Sequence, residues 1–231
     1  MTSSENHMKT SHKNINTMYQ FVSLGYDCSP ASALRGLGLR PAALPFDWVE
    51  SNVDALEKCI GDRFAQYHKG IRLNESKTRV VDAYGFQFPH DYPTMDSEME
   101  EVGECNFGES GKHIVENWMD YYEDVKAKYD RRIERFVSIL FDPRPIIVLC
   151  RYSPADVVRI QRLLTTAFQR KNIYFVNAYP SMVETPYILH IQPDVHTWSD
   201  AEIWKQGIQR MLEKMTARRG YGFLSIFTSP N

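Results

Sequence analysis

From residue 145 onward, short apolar runs alternate with amphipathic segments, and no other feature constrains the fold as much. "PIIVLCRY" (145–152) is apolar almost without a break, as a strand covered on both faces must be. "SPADVVRIQRLLTTAFQRK" follows with helical spacing, then "NIYFVNAY" and "PYILHIQ" as strands. "SDAEIWKQGIQRMLEKM" is a helix with a capping box at Ser199 and Glu202, and "GFLSIF" is a closing strand. Strands that alternate with helices imply a mostly parallel sheet flanked by helices, an α/β fold. With no repeat and no linker, residues 19–231 are expected to form a single domain behind a flexible leader, 1–18.

The first half adds further elements. Residues 20–24 read as a short strand ending at Gly25. The next helix is expected to have Ser29 as N-cap and Pro30 at its first position, with Ala33, Leu34 and Leu37 buried and Gly36 and Gly38 at its end. Ser51 with Asp54 resembles a capping signal for a helix burying Leu56, Ile60 and Phe64, with Cys59 on that apolar side. Val80, Tyr84, Phe86 and Phe88 share a parity, as one face of a strand or hairpin does. Residues 96–111 are acidic and glycine-containing, a solvated loop that holds Cys105. Apolar residues from Ile114 to Leu140 recur by threes and fours, which predicts a long helix with Arg131, Arg132 and Arg135 near its end.

Charge and cysteine usage exclude several function classes. The chain carries 27 basic and 29 acidic residues, so it lacks the basic excess of a nucleic-acid binder. No apolar run reaches the roughly 20 residues of a membrane helix, and the polar start has no apolar signal core. Cys28, Cys59, Cys105 and Cys150 form no C-x-x-C pair, which argues against a disulfide framework or zinc site and for a reducing, cytoplasmic setting. The phosphate-binding lysine loop is absent. "GLGLR" (36–40) follows a helix and lacks the third glycine of a dinucleotide fingerprint. No cofactor, metal, nucleic acid or membrane is therefore expected. The expected partner is a peptide or small-molecule substrate.

One residue stands out as chemistry. Cys28 lies between the first strand and its helix, where ligands of open α/β sheets gather. Amides and partial positive charge at a helix start favour thiolate over thiol and can hold an oxyanion. The chain contains its own control: "Tyr-Ser-Pro-Ala" at 152–155 repeats the "Cys-Ser-Pro-Ala" of 28–31. Ser-Pro-Ala is thus a helix-start device, and only the residue before it differs. A nucleophile needs a base, and His90 in "FQFPHDYP" and His196 in "PDVHTWSD" are the better placed of seven histidines. His68 and His113 lie near helix ends, and His190 falls on the polar side of a strand. For a carboxylate to orient the imidazole, Asp47 between aromatics in "PFDW" is attractive, and Asp27, Asp91 and Asp194 stay open.

"SLGYDCSPASALRGLGLR", "PFDW", "HDY" and "RRIERF" ahead of an apolar strand together resemble an uncharacterised family of papain-like cysteine peptidases. The resemblance spans most of the chain from Phe21. It implies a Cys–His hydrolase with Cys28 as nucleophile and His90 as base. One departure is plain: papain-like enzymes mount the cysteine on a long helix against an antiparallel barrel, whereas βαβ units fill this second half. The arrangement is also similar to flavodoxin-like esterases and acyltransferases. An acyltransferase using the same pair, with Arg151, Arg159, Arg162 or Arg170 holding donor phosphates, is the competing enzyme reading. A non-catalytic binding module lined by Trp48, Trp118, Trp198 and Trp204 is the third.

Overall fold

The computed structural model describes residues 15–95, 112–192 and 201–219. In chain order the strands are β1 (Gln20–Ser23), β2 (Arg72–Leu73), β3 (Val80–Val81), β4 (Gln87–Phe88), β5 (Ile146–Cys150), β6 (Ile173–Ala178) and β7 (Ile188–Ile191). Four of them form one parallel sheet in the order β1-β5-β6-β7. The other three form a small antiparallel sheet, β2-β3-β4.

Helices cover both faces of the parallel sheet. On one side lie α1 (Ser29–Gly36) and α5 (Ala201–Arg219), whose Leu34, Trp204 and Ile208 pack on Phe21, Ile147, Val176 and Leu189. On the other lie α3 (Tyr122–Phe141) and α4 (Pro154–Ala167), whose Phe136 and Ile160 meet Val22, Val148 and Phe175. This two-sided cover is why β5 is apolar at every position: all five of its residues are buried. α2 (Val53–Gly61) and the small sheet extend the second core through an aromatic cluster. There the Phe46 and Phe136 rings meet edge-on at 5.2 Å, as their quadrupoles prefer.

Four local expectations are corrected. The N-cap of α2 is Asn52, whose side chain accepts from Ala55 N–H at 2.9 Å, not Ser51. Phe64 is buried, but it follows α2 in a left-handed turn (φ 65°) and does not extend the helix. Of the shared-parity residues, Tyr84 lies in the turn joining β3 to β4. Ile114 pairs with Thr94 in an isolated bridge, a 3-10 turn spans Trp118–Tyr121, and only then does α3 begin. Because α3 runs on to Phe141, none of the three arginines lies in its last turn, and Arg170 serves its C-terminal end instead. Its guanidinium donates to the carbonyls of Ile139 (3.3 Å) and Leu140 (3.0 Å), occupying acceptors that a helix end leaves open, and to that of Arg144 (2.6 Å) just beyond. The Ser199 cap, the "GFLSIF" strand, the 96–111 loop and residues 1–14 of the leader lie outside the described residues.

Gly207 lets α5 approach the sheet closely. A Cβ there would stand 2.8 Å from both Ile191 Cγ2 and Val176 Cγ1. Overpacking of this kind costs about 1–3 kcal/mol, against a helix-propensity gain near ~1 kcal/mol. Gly207→Ala is therefore expected to lower the urea midpoint with helix content retained. A midpoint at or above the parent's would show that α5 can shift without loss.

Candidate functional site

The site begins where β1 runs out. Leu24 N–H still reaches the Leu149 carbonyl at 3.0 Å, and the chain then bends through Gly25, Tyr26 and Asp27 into α1. Glycine is required at the bend, because a Cβ at 25 would stand 2.8 Å from the Val49 carbonyl oxygen.

Cys28 itself occupies the N-cap position of α1, with φ −78°, ψ −10° and no capping bond from its side chain. Ser29, the expected N-cap, is the first helical residue. Its N–H and hydroxyl both donate to Asp27 Oδ1, at 2.9 and 2.6 Å. Asp27 thus performs the capping, and its second oxygen is ion-paired with Arg151 just past β5. The sister device behaves differently. Ser153 is the N-cap of α4 and accepts from Asp156 N–H at 3.2 Å. The same Ser-Pro-Ala is shifted by one residue in α1, which puts Cys28 at the N-cap position, and Asp27 rather than the thiol supplies the cap.

The thiol faces an imidazole from 62 residues away: Cys28 Sγ lies 3.3 Å from His90 Nε2. Both residues are half-buried. The other described cysteines, Cys59 and Cys150, are fully buried, and burial pushes both thiols far above the usual range. His90 follows β4 on a segment anchored by its next two residues. Asp91 is buried and accepts from Tyr129 OH (2.7 Å) and Lys128 Nζ (2.5 Å). Burial opposes its charge, but Lys128 and Arg132 outweigh burial and hold its pKa below the carboxylate range. Tyr92 OH lies 2.7 Å from Nε2 of His68.

His68, read from the sequence as lying near a helix end, is fully buried and stacks on Tyr92, Tyr122 and Tyr129. Burial lowers its pKa to about 4. Its Nδ1 meets no partner among the described residues, so a second ring proton would be unsolvated.

Of the four expected site residues, the structure brings Cys28 and His90 together. Asp47 is elsewhere engaged. It is fully buried and accepts from Ser23 Oγ (2.5 Å), Arg40 Nη1 (2.5 Å) and Leu44 N–H (2.7 Å), so it clamps the "PFDW" segment to β1 with no histidine among its partners. His196, like Asp194, lies outside the described residues. His190 is buried on β7 with Nδ1 3.2 Å from Asn177 Nδ2. Arg159 pairs with Asp54, Glu57 and Asp156, while Arg151 and Arg170 are engaged as described, so three of the four arginines considered for donor phosphates already have partners. Among the described residues, no three His, Cys, Asp or Glu side chains are placed to hold a metal, and no helix is long and apolar enough to cross a membrane. An open cleft of about 410 Å³ is lined by residues that include Tyr26, Asp27, Glu50 and Gln87, with neither Cys28 nor His90 in its lining. The ties of Asp27 to Arg151 and of Tyr152 to Gly25 had no local signal, because the partners lie over 100 residues apart along the chain.

Asp47→Asn is expected to lose about 3–5 kcal/mol, since it leaves the Arg40 charge without its partner. Cys28 should keep its alkylation rate in this variant. Slow alkylation with little stability loss would instead identify Asp47 as an orienter of the base. For His68 the linkage sign is positive: between pH 4 and 6.5 the unfolded chain binds more protons at this residue, so stability rises with pH there. Asp82, raised by burial to about 6, opposes this, because its native carboxyl holds the proton longer. Acidification from pH 6.5 to 4 should therefore destabilise the parent more than His68→Phe, measured by denaturant unfolding at each pH.

An uncharacterised protein of Acanthamoeba polyphaga mimivirus is 26% identical over a 152-residue alignment that covers 56% of this chain. This chain spans 60% of that relative's length. No solved structure matches. A family model described as "Putative papain-like cysteine peptidase" matches residues 19–173, a stretch that contains both Cys28 and His90, and the chain belongs to that family.

Proposed function

We propose that the protein is a cysteine-dependent hydrolase of amide or ester bonds in a peptide or small molecule, with Cys28 as nucleophile and His90 as base and acid. One observation carries this reading: the 3.3 Å separation of Sγ and Nε2, with the cysteine at a helix N-cap. A thiolate is favoured by both neighbours, the helix start and a protonated imidazole. His90 takes the Cys28 proton, and the sulfur attacks the substrate carbonyl carbon to give a tetrahedral oxyanion. The imidazolium then returns its proton to the leaving amine or alcohol as the scissile bond breaks. In the second half, His90 draws a proton from water, which attacks the thioester. The carboxylic acid leaves and Sγ–H is restored. Amides at the start of α1 are the available oxyanion donors. Pro30 has no N–H, and Asp27 holds that of Ser29. Ala31 N–H makes no backbone bond among the described residues.

The occupied arginines weigh against the acyltransferase alternative, which needs cations for a phosphorylated donor. The test uses two readouts. Iodoacetamide labelling at about pH 6, resolved by peptide mapping from Cys59, Cys105 and Cys150, should be faster at Cys28 than at a free thiol. A screen of chromogenic amides and esters should find turnover that Cys28→Ala abolishes and His90→Gln slows by about 10²–10⁴-fold. Labelling of Cys28 no faster than a free thiol would overturn the reading.

A further inference from the structure

We propose that Tyr152 is a positioning residue for Cys28; this rests on the reading of Cys28 as the nucleophile. Tyr152 holds in the second Ser-Pro-Ala device the place that Cys28 holds in the first. It is 3% exposed, so its hydroxyl must find partners inside the protein. Its main chain is fixed just after β5 ends. The buried Asn177 amide grips it as a strand partner would, Oδ1 accepting from Tyr152 N–H at 2.9 Å and Nδ2 donating to the Tyr152 carbonyl at 2.8 Å. The Cys150 thiol, 3.3 Å from the same Oδ1, and the His190 ring complete the shell around Asn177.

From that fixed base the side chain reaches across to the nucleophile turn. The phenol donates to the Gly25 carbonyl and accepts from Ser51 Oγ, 2.7 Å away. Its ring meets Tyr26 edge-on at 5.8 Å. Three ties thus join the bend to β5 and its continuation: Leu24 to Leu149, Gly25 to Tyr152, and Asp27 to Arg151. The middle tie is buried and lies at the apex, and it sets where the backbone turns toward Cys28. A displacement of about 1 Å at a reacting atom can cost about 10²-fold in rate, so a hydroxyl that holds this carbonyl acts on Sγ without touching substrate.

The experiment compares the parent, Tyr152→Phe and Ser51→Ala by the pH profile of iodoacetamide labelling at Cys28. Circular dichroism confirms that each is folded. Removing the hydroxyl should slow labelling at about pH 6 about tenfold and move the profile's midpoint up toward that of a free thiol. Ser51→Ala should shift neither, because the bond to Gly25 survives. A Tyr152→Phe profile that overlays a fast parent overturns this proposal alone. A parent Cys28 that reacts like a free thiol overturns the hydrolase reading and this proposal with it. If Tyr152→Phe does not fold, hydrogen exchange in the parent decides. Amides 25–29 protected as well as those of β1 support the proposal, and loop-like exchange there overturns it.

Discussion

The parallel pairing of β1 with β5 is the constraint on which the rest depends. It sets Ser23 beside Leu149, so that the segment after each strand runs beside the other. Everything that shapes the approach to Cys28 follows from that register. Leu149 accepts from Leu24, Arg151 holds Asp27, and Tyr152 reaches Gly25. A slip of one residue would turn every side chain of β1 to the opposite core and separate these partners.

Buried charge is distributed with the same economy. Asp47 and Asp91 are buried and have cationic partners, as carboxylates out of water must, and the half-buried Asp27 is paired as well. Each also fixes a piece of the geometry. Asp27 caps α1, Asp47 ties "PFDW" to β1, and Asp91 secures the segment that bears His90. The His68–Tyr92 contact adds a second hold on that segment within an aromatic cluster. The imidazole facing Cys28 is thereby flanked on its C-terminal side by two residues rooted in the core.

The family description points to papain, but the scaffold differs from papain's. Here the cysteine lies at the start of an eight-residue helix after the first strand of a parallel sheet, and the histidine comes from beside a small antiparallel sheet. Chemistry of this kind depends on the distance and environment of a few atoms, not on the fold that carries them.

Several features were legible in the residues alone. The unbroken apolar run of β5 announced a strand buried on both faces, and the spacing of α3 and α4 announced their core stripes, because burial imposes periodicity on sequence. Cys28 was legible as a cysteine at a strand-to-helix turn, and "HDY" marked His90 through the family resemblance. Asp47 was misassigned because a carboxylate between aromatics signals only that a partner exists, not which one. Ser29 was misassigned because the same Ser-Pro-Ala can start a helix in two registers, and Asp27 with Arg151 selects between them. The chain's own letters determined the sheet, the helices and the candidate thiol, since those follow from local hydrophobic pattern. Only tertiary structure decided which imidazole faces that thiol and which tyrosine holds its turn. Those contacts join residues 62 and 127 positions apart, a separation that leaves no periodic trace in the chain.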